Sequence, residues 1–292
     1  MMMKPASFLS ISLLLTFLLL SAGKAPQQQA AQPSGFDITL RMFERAKKIN
    51  TLTFRMKKTE RIDGKMQEQV SDVRLLRKPY KVYSRQLSPK EGVEVLYAHG
   101  EREGQALVNP NGFPWINLRL QPYGNIMRKN QHHTIVNSGY DYFLSILDHL
   151  FSKYGAETAS MTFLDGSVKW NGRDCFVIRF ENIHYAIADY TVKSGETVTS
   201  IAEERFLSDY KILELNKDIS DFDDVKAGQV IKIPNDYSPR MLMYIDKQQM
   251  VPLVIKVYDE LDLFEVYEYE SVKIDEPVAD KEFEFDYEGY DF

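Results

Sequence analysis

The chain has 292 residues, 44% of them hydrophobic and 27% charged, which is the composition of a globular protein. Its formal net charge is −6 and its basic residues form no cluster or stripe, so a nucleic-acid partner is not expected. The single cysteine, Cys175, excludes an internal disulfide, and it opens an apolar run that predicts a buried strand.

The N-terminal residues have the order of a secretory signal peptide. The cation Lys4 precedes an apolar run at residues 8–20, and small residues follow at 21–23. A membrane span needs about 20 apolar residues, so this run is short for one, although an uncleaved anchor is the alternative. We predict export to the periplasm or cell wall, with residues 1–23 removed and the Gln-, Ala- and Pro-rich residues 24–35 forming a flexible linker.

The globular part begins with a helix and continues as a strand meander. Residues 36–49 place apolar side chains at steps of three and four, which predicts a helix. Between residues 52 and 107 the pattern alternates, and turn signals such as Asp63-Gly64 separate the runs. Strands joined by short turns predict an antiparallel meander with one half-buried face.

Later segments repeat this mixture of helix and strand. The Pro- and Gly-broken residues 109–120 predict a loop, and residues 140–154 predict an amphipathic helix. The predicted fold class is therefore α+β, a curved antiparallel half-barrel sheet packed on helices. Further strands are predicted at residues 162–164, 168–170, 175–180, 241–245, 253–258 and 264–272.

Residues 190–234 break this rhythm with a short strand, two helices and a second short strand. Thr197 and Asp209 are candidate N-caps for the two helices, and Asn216 suits the end of the second helix. Gly228 turns the chain into the final strand at residues 230–234.

The same segment resembles the LysM module in three separated stretches, YTVKSGETVTSIAEERF, ILELN and DDVKAGQVIKIP. Glu196, Val198 and Thr199 depart from the residues that are usual in that family. The resemblance implies an inserted βααβ fold that binds polymers containing N-acetylglucosamine, namely peptidoglycan or chitin.

Carried over by position, the resemblance implies a glycan-binding groove with two walls. Main-chain amides and the Thr and Asn side chains would meet acetamido and hydroxyl groups, while Val198 and Ile219 would hold the acetyl methyl group. The alternative is a module that keeps only its fold, with Val198 and Ile219 in its core. The predicted walls are Gly195, Glu196, Thr197 and Val198 on one side and Asn216, Lys217, Asp218 and Ile219 on the other.

The rest of the chain resembles the half-barrel of periplasmic lipoprotein carriers (LolA/LolB-like), through its order of elements and the stretch YIDKQQMVPLVIKVYDELDLFEVYEYESVKI. The stretch QHHTIVNSGYDYFLSIL is similar to an uncharacterised family of exported envelope proteins. We predict that residues 36–189 and 235–292 form one half-barrel and that the module is inserted between neighbouring strands. A surplus of large apolar side chains predicts a concave face that two helices do not fill.

No arrangement typical of a catalytic or metal site stands out. Cys175 follows a strand pattern, whereas a nucleophilic thiol usually lies at a helix N-terminus. His132 and His133 are adjacent, so on a strand they would face opposite sides, and a structural role in a loop is preferred to a zinc site. Asp259 and Asp262 fall at a hairpin tip, where acids are ordinarily solvated. We predict no catalytic residue, no metal site and no cofactor.

These features predict an exported binding protein of the cell envelope and not an enzyme. The LysM module would attach the protein to peptidoglycan, and the half-barrel would hold an apolar ligand, a lipid or a lipidated protein partner. The alternative is a wall-modifying hydrolase, because LysM modules are often attached to such enzymes, with catalytic residues that the sequence does not reveal.

Overall fold

The computed structural model describes Met1 and residues 33–292, so the predicted signal peptide and most of the predicted linker lie outside the described residues. The described chain has the predicted α+β fold, with a large, open, curved antiparallel sheet and a separate two-stranded sheet. Within residues 33–292, no helix combines the length and the hydrophobicity needed to cross a membrane.

The described strands are β1 (Thr51–Ile62), β2 (Lys65–Arg77), β3 (Tyr80–Ser88), β4 (Glu94–Ala98), β5 (Ala106–Asn109), β6 (Leu118–Leu120), β7 (Thr162–Trp170), β8 (Arg173–Glu181), β9 (Ile187–Thr191), β10 (Val230–Pro234), β11 (Arg240–Asp246), β12 (Pro252–Asp259) and β13 (Asp262–Ile274). The helices are α1 (Gly35–Lys47), α2 (Asn125–Arg128), α3 (Asp141–Tyr154), α4 (Val198–Arg205) and α5 (Asp209–Leu215). The large sheet has the order β6-β5-β4-β3-β2-β1-β13-β12-β11-β8-β7, and β9 pairs with β10.

Two-residue turns fix the long hairpins β1–β2 and β7–β8. Asp63-Gly64 and Asn171-Gly172 have positive φ at both residues, between 44° and 77°. This backbone conformation suits Asn-Gly and Asp-Gly pairs, and its twist matches that of the flanking strands. The turns predicted from the sequence are therefore confirmed.

Helices α1 and α3 cover one face of the large sheet. Ser34 and Asp37 form a capping box that starts α1, since each side chain accepts a hydrogen bond from the other residue's main-chain N–H. The rings of Phe36 and Phe43 meet the edge of Phe151 in α3, with centroids 5.7 and 5.5 Å apart. Both helices bury their apolar faces in the main core.

The C-terminal residues cover part of the opposite face. Consecutive strand residues point to opposite faces, and Leu75 belongs to the main core whereas Leu76 packs with the tail residue Phe283. Tyr290 stacks on Tyr83 of β3 with ring centroids 3.7 Å apart. The acidic, aromatic tail is therefore anchored by its rings, as its alternating pattern indicates.

Two strand assignments differ from the sequence-based expectation. Residues 118–120, expected in a loop, form β6 and pair with β5. Residues 162–170, expected as two short strands, form one strand that continues through a register shift between Leu164 and Gly166. The bulge absorbs the Asp-Gly pair that reads as a break in the sequence.

Residues 190–234 form the expected strand-helix-helix-strand unit between two paired strands of the large sheet. β8 and β11, which flank the unit along the chain, are direct neighbours with Arg240 opposite Glu181, so the expected pairing is confirmed. Thr197 caps α4 as predicted. Ser208, and not Asp209, caps α5, because its hydroxyl accepts the main-chain N–H of Lys211 at 3.3 Å.

Candidate binding sites in the half-barrel and the module

A cavity of about 460 Å³ lies between the helix-covered face of the sheet, α3 and the segment that precedes α3. This volume is in the range of small-molecule sites, roughly 300–1,000 Å³. Ile126 is 70% exposed at the rim. The unfilled space expected under the sheet is therefore present. Buried apolar side chains that line the cavity include Phe54, Val73, Val108, Phe143, Ile255 and Val257.

Not every large apolar residue of the strands contributes to this space. Tyr83 and Leu96 face the other side of the sheet and pack beneath the C-terminal tail with Phe283. Their neighbours Val82 and Tyr97 take the inward positions. Periodicity of two in a strand identifies two faces but does not say which of them is the concave one.

One end of the cavity is polar. His133 lines it, and the His133 Nε2 atom lies 3.0 Å from the Tyr237 hydroxyl and 3.4 Å from Glu265 Oε2. The Tyr237 hydroxyl donates to Glu265 Oε1 at 2.6 Å. The Tyr267 hydroxyl lies between two carboxylates, 2.8 Å from Glu60 Oε1 and 3.0 Å from Glu265 Oε2. A hydrogen-bonded group of acids, tyrosines and histidine therefore lies at one end of a cavity whose lining combines the apolar residues with further polar side chains, among them Gln69, Lys90 and Lys129.

A second histidine lies behind this group and is buried. The His132 ring is sandwiched between Tyr210 and Phe264, with centroids 4.5 and 4.2 Å away. Its Nδ1 lies 2.8 Å from Glu265 Oε2, and its Nε2 lies 3.0 Å from the main-chain oxygen of Arg61. Burial opposes the charged imidazole, yet the hydrogen bond to Glu265 raises the pKa of His132.

The buried carboxylates are held in their charged forms. Burial alone would raise the pKa of Glu265, but His133 and His132 hold that pKa below its usual range. Burial acts in the same way on Glu60, where Lys58, 3.2 Å away, lowers the pKa. Neighbouring groups of the same cluster thus offset the burial of the two acids.

Both histidines therefore turn toward Glu265, and the opposite facing expected for neighbours on a strand does not apply to them. Residues 131–134 form an irregular segment and not a strand, so the alternation of strand side chains does not apply. Glu60, His132 and Glu265 place possible ligand atoms within 4.8 Å of one another. However, both nitrogens of His132 already have hydrogen-bond partners, and a metal needs one of those lone pairs. The geometry fits a hydrogen-bonded network better than a metal centre.

The remaining candidates for catalysis are engaged in structural contacts. Cys175 is fully buried in β8, and burial raises the pKa of its thiol to about 11. Asp259 at the β12–β13 hairpin is not solvated as expected, because Lys211 and Arg61 form ion pairs with its carboxylate. Asp262, the last residue of the same tip, is 79% exposed.

The first predicted wall of the glycan groove is partly exposed. Gly195 is exposed in a turn with φ of 83°, a conformation that favours glycine. The Glu196 carboxylate accepts from the Tyr190 hydroxyl and the Lys193 main-chain N–H, both at 2.7 Å. The Thr197 hydroxyl accepts the Ser200 N–H as the N-cap of α4. These side chains support the turn, which leaves main-chain groups for a ligand.

The second wall combines exposed and buried residues. Lys217 and Asp218 are exposed, whereas Val198 and Ile219 are both buried in the module's own core. The main-chain N–H of Val198 donates to the carbonyl of Phe222 at 2.8 Å, so the first wall contacts the segment that follows the second wall. The structure thus brings the eight residues to one region of the module.

The Asn216 amide is fully occupied within the module. Its Nδ2 donates to the carbonyls of Ile212 and Lys232, both at 2.7 Å. Its Oδ1 accepts the Lys232 N–H, also at 2.7 Å. This amide therefore joins α5 to β10 and has no free polar group for the acetamido contact predicted from the sequence.

The module is held against the half-barrel by buried cations. Arg128 of α2 is 5% exposed, donates to the Thr199 hydroxyl at 2.6 Å and pairs with Asp209. Its guanidinium also lies over the ring of Phe222. Beside it, Asn125 donates to the Asp221 carboxylate at 2.5 Å.

A second set of ion pairs between the module and the half-barrel joins α5 to the ends of β1 and β12. Lys211 is 2% exposed and contacts Asp259 at 2.7 Å and Glu260 at 2.6 Å. Arg61 pairs with Glu214 at 2.9 Å and with Asp259. Nothing in the sequence motif predicted these contacts, because they depend on how the module is docked.

Residues 125–134, called here the shared segment, contribute to the cavity and to the contacts between the module and the half-barrel. Met127 and His133 line the cavity. Asn125 and Arg128 bind the module, and His132 stacks on Tyr210 of α5. One short stretch of chain therefore contacts both the cavity and the module.

Two sequence families match the chain. A family described as protein of unknown function (DUF1571) matches residues 49–193, and the LysM domain matches residues 190–234. The second match confirms the predicted module with its predicted bounds. No curated protein gives a significant match.

Several solved structures are similar at low sequence identity. The complex of MucA and MucB from Pseudomonas aeruginosa is 11% identical with a TM-score of 0.40, and the match covers 85% of this chain and 60% of that one. The lipoprotein LppX from Mycobacterium tuberculosis is 10% identical with a TM-score of 0.40, covering 84% and 91%. A LolA superfamily protein from Nitrosomonas europaea is 9% identical with a TM-score of 0.32, covering 86% and 98%.

Proposed function

We propose that this chain, in which residues 190–234 form a LysM domain, is an exported cell-envelope protein that binds peptidoglycan and holds an apolar ligand or a lipidated partner. The observation that carries the proposal is the position of the LysM domain, which is fixed beside an open, largely apolar cavity. The module supplies attachment to the wall, and the half-barrel supplies the room for an apolar ligand. Neither role requires a cofactor or a nucleic-acid partner.

Within the module, the exposed turn at Gly195 and the exposed Lys217 and Asp218 are the parts of the predicted groove that a glycan reaches directly. Val198, Ile219 and Asn216 support that surface from beneath. A single small groove makes few contacts, so we expect a Kd above about 1 μM.

The experiment is co-sedimentation of the purified mature protein with peptidoglycan sacculi. Lys217→Ala with Asp218→Ala should reduce the bound fraction at least about threefold, because two exposed polar contacts of roughly 0.5 kcal/mol or more are removed. Asp189→Ala with Lys232→Ala is the matched control, since it removes the same two charges from the exposed ion pair between β9 and β10. Equal binding by both double variants would argue against this groove.

Asn216→Ala is a poor probe of glycan contact. It removes the hydrogen bonds between α5 and β10, so weaker binding would report loss of structure. The substitutions at exposed positions avoid this ambiguity.

The alternative function is that of a wall-modifying hydrolase. The same sacculi separate the two functions, because soluble muropeptides in the supernatant indicate an enzyme and sedimentation without release indicates a binder. The buried Cys175, with the pKa of its thiol raised to about 11, and the ion-paired Asp259 favour the binder.

Export is part of the proposal, since peptidoglycan lies outside the cytoplasm. The mass of the mature protein recovered from the envelope should correspond to cleavage near Gly23. A protein that keeps its first 23 residues would indicate an anchor.

A further inference from the structure

We infer that the half-barrel cavity selects a neutral single-chain amphiphile whose polar end is a hydroxyl group, bound by Nδ1 of His133. This inference rests on the proposed role of the cavity as an apolar ligand site and names the chemistry of that ligand. It follows from the hydrogen-bond directions at the polar end, from the charges around it and from the walls.

The direction of each hydrogen bond is fixed by a count of protons. Tyr237 has one hydroxyl hydrogen, and the 2.6 Å contact gives it to Glu265 Oε1. The Tyr237 oxygen can then only accept from His133 Nε2, 3.0 Å away, so Nε2 carries a hydrogen. In the neutral imidazole the other nitrogen, Nδ1, is therefore an acceptor.

Nδ1 of His133 is the atom of this cluster that is left to bind a ligand. It has no hydrogen-bond partner among residues 33–292. It also keeps some exposure to solvent, because it is not among the fully buried, unpaired polar atoms of those residues. The ring is held by Tyr237 on one side and packs against Tyr142, with centroids 4.6 Å apart. An oriented acceptor in an apolar cavity selects a ligand that donates a hydrogen bond.

The groups directly beside His133 favour a neutral donor over an anion. Glu60 and Glu265 are buried carboxylates beside His133, and they are paired with Lys58 and His132. The ammonium of Lys58 also donates to Gln131 Oε1 at 2.8 Å, so it is committed to the protein, whereas Lys90 and Lys129 line other parts of the cavity. A ligand carboxylate at His133 would therefore meet an acceptor nitrogen and no uncommitted cation of this cluster, whereas an alcohol supplies the hydrogen that Nδ1 lacks.

The walls require an apolar chain behind that hydroxyl group. Phe54, Val73 and Ile255 are all buried and line the cavity. At the rim, Ile126 is exposed beside Lys129, so the chain can pass from solvent to the interior along an apolar edge. Long-chain alcohols and monoacylglycerols share this chemistry.

The test is displacement of the apolar fluorescent probe N-phenyl-1-naphthylamine from the full mature protein. Dodecanol and monolaurin should displace the probe at about three- to tenfold lower concentration than dodecanoate or dodecyltrimethylammonium, which is the range expected for one hydrogen bond. Equal or better displacement by dodecanoate would overturn the inference, and this comparison needs no variant.

His133→Phe removes the nitrogen and keeps a ring among the tyrosines. It should abolish the preference for the alcohols over dodecanoate and dodecyltrimethylammonium. His149→Phe is the matched control, because His149 stacks on Phe206 of the module and is not among the residues that line the cavity. A preference that survives His133→Phe would also overturn the inference. Failure of the probe to bind the unaltered protein would instead contradict the proposed apolar site, and with it the inference.

Discussion

The interiors of the LysM module and the half-barrel differ in how completely they are filled. The module closes a small apolar core around Val198, Ile201 and Ile212, and Asn216 satisfies the polar groups between α5 and β10. The half-barrel has the larger core but leaves a cavity beneath its sheet, with a polar network at one end. The comparison teaches that the smaller unit is closed and gains contacts from docking, whereas the larger unit combines an extensive buried core with an unfilled space beneath its sheet.

Removing the module should have the largest effect on the comparison. If residues 190–234 are replaced by a short Gly-Ser loop, the half-barrel should still unfold cooperatively in urea, because β8 and β11 pair directly. Its free energy of unfolding should fall by about 1–3 kcal/mol, because the half-barrel loses the hydrogen bonds that Arg128 makes to the module while water takes their place at the uncovered guanidinium.

The ion pair of Arg128 is tested in the full protein, where the module keeps it buried. Asp209→Ala removes its partner and should cost about 3–5 kcal/mol, and adding Arg128→Met should recover at least about 1 kcal/mol, because the unpaired buried charge is gone. Arg55→Met should recover nothing, since Arg55 forms an exposed pair with Asp72 that stays intact. Loss of a cooperative transition in the shortened protein would contradict the prediction that the module is an insertion. Equal effects of Arg128→Met and Arg55→Met would contradict the role given to Arg128 in holding the module.

An intermediate effect is expected from the polar network of the half-barrel at acid pH. The folded pKa of Glu265 is lowered, so its contribution is present above the unfolded pKa of about 4.3 and is lost as pH falls below it. Between about pH 4 and pH 3, Glu265→Gln should lose stability less steeply than the unaltered protein, by about 1 kcal/mol per pH unit.

Glu268→Gln is the control for this slope, because Glu268 lies on the same strand and is partly exposed. Urea unfolding at three pH values gives the measurement. If the free energies of unfolding of the unaltered protein and Glu265→Gln changed in parallel with pH, the network would not contribute to acid sensitivity.

The smallest effect is expected for chemical modification of Cys175. The test compares the reactivity of this thiol in the half-barrel with that of a thiol placed on the module surface. The thiol is fully buried in the half-barrel and burial raises its pKa to about 11, so a thiol reagent should not modify it in the folded protein at pH 7. Lys217→Cys, on the exposed turn of the module, should react at once. Modification of Cys175 at a similar rate would mean that the core around β8 opens readily to solvent.

The sequence predicts the elements of both regions well, since periodicity and turn residues are local signals. The strand meander, the Asp63-Gly64 turn and the LysM motif all follow from residues close together in the chain. The same reasoning fails for β6, because residues 118–120 have no strand pattern of their own and pair only through β5.

The sites are less predictable because distant residues build them. Arg128 meets Asp209 across 81 positions and His132 meets Glu265 across 133, and no local pattern encodes either contact. Asn216 shows the opposite error, since its place in the motif suggested a ligand contact whereas its amide joins α5 to β10. An isolated polar residue in a sequence does not reveal whether its partner is a ligand or its own backbone.

The pairing of β8 with β11 also bears on the order of folding. With an unstructured chain between them, these strands would have to close a long loop, which costs conformational entropy. Prior folding of the LysM module places Ile187 opposite Pro234, so only two short connections are left to order. By the logarithmic dependence on loop length, this lowers the closure cost by about 1 to 2 kcal/mol. The inserted module therefore turns one of the half-barrel's distant strand pairings into a nearly local one.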